Sequence, residues 1–259
     1  MAKYLDYGFT GRTAIVTGAG TGIGRSCAEE LAKGGAKVAL FGRRLDKLKE
    51  TAAECRRYTP DVLAVACDVS NEIAVYNGVK QVTNAFGGVD ILINNAGVES
   101  DLKPGQTFRD LFEQQPPEEY LRFFRIHAMG HYLMCLAVLP SMKEKHFGRV
   151  VNITSVCGVD GQYSSPAYVS SKGAAITQTK AFASKYAPDN IIFNSISPGM
   201  VNTPMKKDST QEEFDYVASV TPIGRVAEPI DIARVAMFFA QENLFVCGQN
   251  LIVDGAAHI

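Results

Sequence analysis

No run of uncharged apolar residues in this chain of 259 residues reaches the ~18 that a helix needs to cross a bilayer, so no membrane span is expected. The opening MAKYLDYGFTGRTAIVTGAG lacks the ordered basic, apolar and cleavage regions of a secretory signal, because acidic, aromatic and glycine residues interrupt it early. Charge of one sign is not in excess either: 26 Lys and Arg stand against 27 Asp and Glu, a net charge of -1. That leaves no basic stripe for a phosphate backbone, and nucleic acid is not expected as a partner. The six cysteines are scattered, form no Cys-x-x-Cys pair and have no histidine at zinc-ligand spacing. They suit small buried positions in a reducing cytoplasm, and no metal site is expected. What the chain has is apolar content, 46% by count, at a length where roughly 73% of the unfolded surface can be buried.

Short β-branched runs alternate with longer amphipathic segments: TAIVT, a helical stretch to Lys33, KVALF, a charged helix near 45–58, VLAVA, another helix, then DILIN. This is the rhythm of a parallel sheet with helical crossovers. Gly34-Gly35 offers a left-handed cap for the first helix, and Pro60 is expected to stop the second. A long apolar helix is predicted over 118–143, then a strand at RVVNI, a helix over about 166–186, a strand at IIFNSI and a last one at LIVDG. No repeat or flexible linker divides the chain, so residues 1–259 are expected to form one domain. Two stretches read as irregular loops that shape a substrate pocket: 98–117, with Pro104, Pro116 and Pro117, and 200–225.

Between the first strand and the first helix stands Thr17-Gly18-Ala19-Gly20-Thr21-Gly22-Ile23-Gly24. Glycines at such a turn let the backbone approach a pyrophosphate while the helix presents its N-terminal amides, which points to a dinucleotide. A phosphate-cradling P-loop fails at two positions, since Ala19 and Arg25 stand where it needs glycine and lysine. At the end of the second strand an enzyme that binds a ribose 2′-hydroxyl carries an acidic residue, whereas this chain has Phe41-Gly42-Arg43-Arg44. Guanidinium suits a 2′-phosphate, so NADP(H) is expected ahead of NAD(H), with Arg43 as first contact and Arg44 as second. The alternative is that both arginines are solvated residues at the start of a charged helix.

Tyr168 and Lys172 lie four apart in a predicted helix, about 6 Å along its axis, on one face. Tyr76 and Lys80 repeat the spacing, so position must choose between them. Thirteen residues before Tyr168 is Ser155, at the C-terminal end of a predicted strand, where open α/β sheets bind ligands; thirteen before Tyr76 is Leu63. Tyr76 is therefore read as helix surface.

Taken in order, TGAGTGIG, Cys67-Asp68-Val69, Asn94-Asn95-Ala96-Gly97, Ser155, Tyr168-Val169-Ser170-Ser171-Lys172 and Pro198-Gly199-Met200-Val201-Asn202-Thr203 resemble the short-chain dehydrogenase/reductase family along almost the whole chain. The resemblance implies a doubly wound Rossmann fold, α/β, with seven parallel strands and helices on both faces. It also implies hydride exchange between a nicotinamide and a carbonyl or secondary alcohol. Tyr168 becomes the acid/base, with Lys172 ~4 Å away bringing its phenol down towards neutrality and Ser155 holding the substrate oxygen. Asp68 and Val69 border the adenine, Asn95, Ala96 and Gly97 support the crevice, and Pro198, Gly199, Val201 and Thr203 lie along the nicotinamide. Asp68 also reads as a helix N-cap, and Pro198-Gly199 as a turn. Members of the family form tetramers or dimers, so a homo-oligomer is expected, with the apolar face of helix 118–143 and the last strand as candidate interfaces.

One departure stands out. His127 occupies a place where the family has asparagine, which supports a helix irregularity and a water-mediated proton route to the lysine. Three readings are open: a working substitute in the relay, a structural hydrogen-bonded histidine, or a reorganised relay. For function, a ketone reductase or alcohol dehydrogenase leads, with a bulky apolar substrate such as a hydroxysteroid shaped by Tyr163 and the two loops; Tyr163 reads equally as loop packing. A 3-oxoacyl-carrier-protein reductase and a sugar or small-ketone reductase are alternatives. The acidic Ala187-Pro188-Asp189-Asn190 weighs against the carrier-protein reading. A non-catalytic NADP sensor would explain the glycine turn but not Ser155, Tyr168 and Lys172. A hydrolase fits less well, because Gly24-Arg25-Ser26-Cys27-Ala28 lacks the final glycine of a nucleophile elbow.

Overall fold

Alternate residues of the central strands face opposite helix layers, which is why the centres of these runs are apolar. In β1 (Thr13–Thr17), Ala14 and Val16 point to one core and Ile15 to the other; in β2 (Lys37–Gly42), Val38 and Leu40 oppose Ala39 and Phe41. The computed structural model describes residues 7–99, 107–162, 164–206 and 209–258. Seven parallel strands stand in the order β3-β2-β1-β4-β5-β6-β7, completed by β3 (Val62–Ala66), β4 (Ile91–Asn94), β5 (Gly148–Ile153), β6 (Ile191–Pro198) and β7 (Asn250–Val253). The expected α/β Rossmann architecture is the one observed. Helices α1 (Gly22–Lys33), α2 (Leu45–Cys55) and α10 (Pro229–Phe239) cover one face. Helices α3 (Glu72–Phe86), α6 (Gly130–Glu144) and α8 (Pro166–Tyr186) cover the other. β1 pairs with β2 on one side and β4 on the other, so the chain reverses direction across the sheet at β1/β4 and opens a crevice at the strands' C-terminal ends.

Several boundaries depart from the sequence expectation. The second helix ends at Cys55, five residues before Pro60, which therefore does not stop it. Gly35, with φ +84°, supplies the left-handed residue after α1, while Gly34 keeps φ -78°. The predicted helix over 118–143 is three pieces: α5 (Pro117–Phe124), a π-helical segment over Arg125–Met129, and α6. Both irregular stretches contain helices that polar, capping-rich sequence concealed. α4 (Phe108–Gln114) starts at a Thr107/Asp110 capping box and α9 (Gln211–Val220) at a Thr210/Glu213 box. Residues 100–106 of the first loop, residues 207–208 of the second and Tyr163 lie outside the described residues.

All six cysteines are unpaired, no cluster of metal-ligating side chains occurs among the described residues, and no described helix is long and apolar enough to cross a membrane. Apolar side chains stay exposed on both candidate interfaces: Leu121, Met129 and Tyr132 along the α5–α6 run, and Leu251 and Ile252 on the edge strand β7.

His131 of α6 is fully buried, and neither ring nitrogen has a hydrogen-bond partner. Burial, aided by the Lys172 charge, pushes it down to about 3. Below the ordinary histidine value of ~6.5 the unfolded chain binds a proton that the folded one refuses, so stability falls as pH falls. The cost reaches ~2 kcal/mol at about pH 5. His131→Phe removes that term: urea unfolding should show the variant gaining ~2 kcal/mol on wild type between about pH 7 and pH 5. Parallel pH dependences of the two proteins would refute it.

Candidate active site

The glycine turn is built around close approaches. Gly18 has φ +65°, and a side-chain carbon on Gly24 would collide with the Gly18 carbonyl oxygen and the Asn95 side chain. Asn95 ties turn to sheet: its Nδ2 donates to Thr17 O at 3.0 Å, while the N–H groups of Asn95 and Ala96 donate to Thr17 Oγ1 at 2.9 and 3.0 Å. The crevice above encloses about 610 Å³. Its walls include Gly18, Thr21, Gly22 and Ile23, then Arg43 and Arg44, then Asp68 and Val69, then Asn95, Ala96 and Gly97, and finally Thr203. Residues scattered over the sequence thus line one groove, and its glycine-lined end has the form a dinucleotide's phosphates require. Gly24 lies in the first turn of α1 behind this surface.

Arg43 and Arg44 are exposed at the end of β2, and Arg44 Nη2 reaches Thr21 Oγ1 at 3.4 Å. Lys47, in the first turn of α2, joins them on the wall, a cation that the spacing of the sequence did not single out. Asp68 accepts from Ser70 N and Oγ at 2.9 and 2.7 Å; Asn71, not Asp68, caps α3. The capping alternative for Asp68 therefore falls. Gly199 packs on Asp254, and Val201 is buried beside its bridge partner Ala227.

The second half of the site is set by α8. Pro166 starts the helix, and Ser165 caps it by accepting the Tyr168 N–H at 3.2 Å. Behind it, Asn94 Nδ2 donates to Asn152 Oδ1 at 2.9 Å, and Asn152 Nδ2 to Thr179 Oγ1 at 2.8 Å, threading β4 and β5 to the helix. Lys172 is buried, with Nζ donating to Ile153 O at 3.0 Å and 5.7 Å from the Tyr168 ring centre. Ser155 follows β5, accepts the Cys157 N–H at 3.2 Å and acts on the Tyr168 phenol. Tyr76, by contrast, is 42% exposed on α3, far from any such company.

The electrostatics differ from the sequence expectation. Burial first, then the Glu99 carboxylate and Cys157, push the Tyr168 phenol up, while the Ser155 hydrogen bond draws it down. Burial pulls Lys172 down to about 8. The ammonium is turned to the Ile153 carbonyl, so it does not bring the phenol near neutrality in the protein alone. The resting site holds a neutral phenol beside a readily released ammonium proton.

His127 lies in the π-helical segment, fully buried, with Phe123 and Tyr168 edge-on to its ring at 5.6 and 5.5 Å. Val98 N–H donates to Nε2 at 3.0 Å, which leaves the proton on Nδ1, 2.8 Å from Ser171 Oγ; that hydroxyl in turn donates to Tyr168 O at 3.0 Å. Both nitrogens are thus committed, and burial, Lys172 and His131 hold the ring neutral, well below the ordinary histidine range. Of the three readings, the geometry favours the structural one: the imidazole fastens the β4 loop to α8 beneath Tyr168. His127→Asn should therefore leave the midpoints of the pH–rate profile in place. His127→Phe, which strands the Val98 N–H and removes the donor to the Ser171 hydroxyl, should destabilise the fold by ~1–3 kcal/mol. A displaced midpoint in His127→Asn would restore a titrating role.

Glu99, Arg122, Ile126 and Met205 also line the crevice, and spacing gave no sign of them. Arg122 stands on α5 and Ile126 in the π-helical segment, two of the three pieces that replace the single helix expected there.

The short chain dehydrogenase family model matches residues 12–213, and the chain belongs to that family. It is 33% identical over 249 residues to the (2S)-[(R)-hydroxy(phenyl)methyl]succinyl-CoA dehydrogenase subunit BbsD of Thauera aromatica, covering 96% of this chain and 97% of that one. It is 34% identical over 249 residues to 2-(R)-hydroxypropyl-CoM dehydrogenase of Xanthobacter autotrophicus, covering 95% and 98%. Among solved structures, the 3-ketoacyl-(acyl-carrier-protein) reductase of Brucella melitensis complexed with NADH superimposes with a TM-score of 0.86 at 31% identity, covering 97% of this chain and 100% of that one. The protein is an oxidoreductase of the short-chain family.

Proposed function

We propose that the protein interconverts a ketone and a secondary alcohol with NADP(H), Tyr168 serving as the acid/base. The observation that carries this is the neutral, half-buried Tyr168 phenol, one helical turn from the buried Lys172 and drawn down by Ser155, at the sheet end where the glycine-walled crevice opens. Bound there, the nicotinamide supplies or accepts the hydride at the carbonyl carbon. Ser155 holds the carbonyl oxygen beside the phenol, which fixes the reacting carbon. Tyr168 donates its proton to that oxygen in reduction and takes it back in oxidation. Lys172 stabilises the phenolate that remains and restores its proton. His127 keeps Tyr168 in place without exchanging protons itself.

Arg43 and Arg44, with Lys47 behind them, support a 2′-phosphate and hence NADP(H) over NAD(H). Asp68, Val69, Asn95, Ala96, Gly97, Pro198, Gly199, Val201 and Thr203 would frame the adenosine and nicotinamide halves. Val98, Ile126, Pro204 and Met205 give the substrate end an apolar lining, which supports a bulky apolar ketone of the hydroxysteroid kind. A 3-oxoacyl thioester is the second reading, favoured by the named activity of the Brucella relative. The exposed apolar faces of α5–α6 and β7 support a homo-oligomer. NADPH oxidation followed against a steroid ketone, acetoacetyl-CoA and cyclohexane-1,2-dione tests the reading. Turnover of one is expected; tight NADPH binding with none turned over would favour a sensor instead.

A further inference from the structure

The strip from Gly97 to Glu99 runs alongside the reaction centre. A side-chain carbon at Gly97 would lie 3.2 Å from His127 Nε2 and 3.7 Å from Lys172 Nζ, and Val98 is bonded to His127. Glu99 enters the crevice from this strip with its side chain only 18% exposed. Its partner comes from the opposite wall. Lys206, the last residue of the 3-10 turn Pro204–Lys206, meets Glu99 Oε1 in an ion pair. At its other end the same segment rests on the glycine turn, where a side-chain carbon at Gly22 would lie 3.2 Å from Thr203 Cγ2. Residues 203–206 therefore strap the crevice, leaning on the turn and pinned by Glu99.

A largely covered carboxylate beside a tyrosine works against a phenolate and in favour of a phenol. We propose that Glu99 is a positioning residue of the reaction centre: it pins the strap through Lys206, and its charge acts on Tyr168 and Lys172 to favour ketone reduction. The proposal rests on the roles given to that pair above. The other titratable groups packed around them are His127 from the π-helical segment, His131 from α6 and Cys157 from the short helix α7 (Cys157–Asp160), with Arg122 on α5 and Lys206 on the strap. The two imidazoles are neutral, and burial pushes the Cys157 thiol up, so it too is uncharged near neutral pH. Glu99 is thus the charged group that acts on Lys172 among the described residues. It raises the lysine against the effect of burial and raises Tyr168 in the same direction. Both effects keep protons on the pair, the form that donates to a ketone oxygen. Lys206 acts on Glu99 and Cys157.

The Lys172 13Cε resonance, assigned by its loss in Lys172→Arg and followed from about pH 6 to about pH 10, reads this without substrate or cofactor. The wild-type midpoint is expected at about 8. Glu99→Gln should bring it roughly one pH unit lower, a tenfold change in the ratio of ammonium to amine, and the basic limb of ketone reduction should follow. Lys206→Met, which opens the strap but keeps the carboxylate, should not lower it. Glu99→Asp should stay close to wild type and covers the case in which Glu99→Gln does not fold. An unmoved midpoint in Glu99→Gln, an equal fall in Glu99→Gln and Lys206→Met, or a reduction limb that ignores the midpoint would each overturn the proposal. Failure of every ketone to turn over would instead overturn the reading of the site, since the Lys172 midpoint is measured independently of it.

Discussion

Tyr168→Phe should lower kcat by about 10²–10⁴ while NADPH still binds, because the substitution removes one oxygen and leaves the ring. Phe123 and His127 meet the Tyr168 ring edge-on at 6.3 and 5.5 Å, contacts that a phenylalanine keeps, and the Ser165 cap is made to the backbone. The loss is therefore chemical: no group of suitable acidity remains where the proposed mechanism puts the carbonyl oxygen. The effect should appear in kcat and kcat/KM alike, the sign of an interaction made in the transition state. Single-turnover NADPH oxidation in the variant checks it; turnover within about tenfold of wild type would show that another group donates the proton.

The second large effect is expected at the arginines. A charge-assisted hydrogen bond is worth ~1.5–3 kcal/mol, or about 10- to 150-fold in binding. Arg43→Asp removes one such donor and supplies the acidic group that suits a free 2′-hydroxyl. The ratio of kcat/KM for NADPH to that for NADH should fall by roughly 100-fold. Arg44→Ala should have a smaller effect of the same sign, because Arg44 stands beside Thr21 at the turn. An unchanged ratio in Arg43→Asp would return both arginines to a solvated helix start and align this chain with the NADH complex of its Brucella relative.

The strands were legible because burial on both faces favours apolar, β-branched runs: VLAVA is β3 to the residue, and IIFNSI opens β6 at Ile191 despite its buried Asn194 and Ser195. The groove was legible because its walls are the ends of those strands. Apolar periodicity missed the π-helical segment, since the helices on either side of it each keep a helical pattern of their own. It missed α4 and α9 because their signal lies in capping boxes rather than in apolar faces. The fixed tautomer of His127 depends on Val98 and Ser171, 29 and 44 residues away along the chain. The Glu99–Lys206 pair spans 107 residues, and nothing in local sequence couples its ends. The direction of the Tyr168 shift was hidden for a related reason: the helix spacing placed Lys172 near the phenol, but the ammonium's orientation depends on the Ile153 carbonyl of another strand.

The most direct test tracks the transferred hydrogen itself. NADPH deuterated at C4 of the nicotinamide is incubated with the enzyme and the ketone it reduces best, and the mass of the alcohol is measured by mass spectrometry. The expected result is one deuterium at the carbinol carbon when one face of the nicotinamide carries the label and none when the other does, with the product formed at least about 100-fold more slowly in Tyr168→Phe. An alcohol formed without deuterium from either labelled form would contradict hydride transfer at this site.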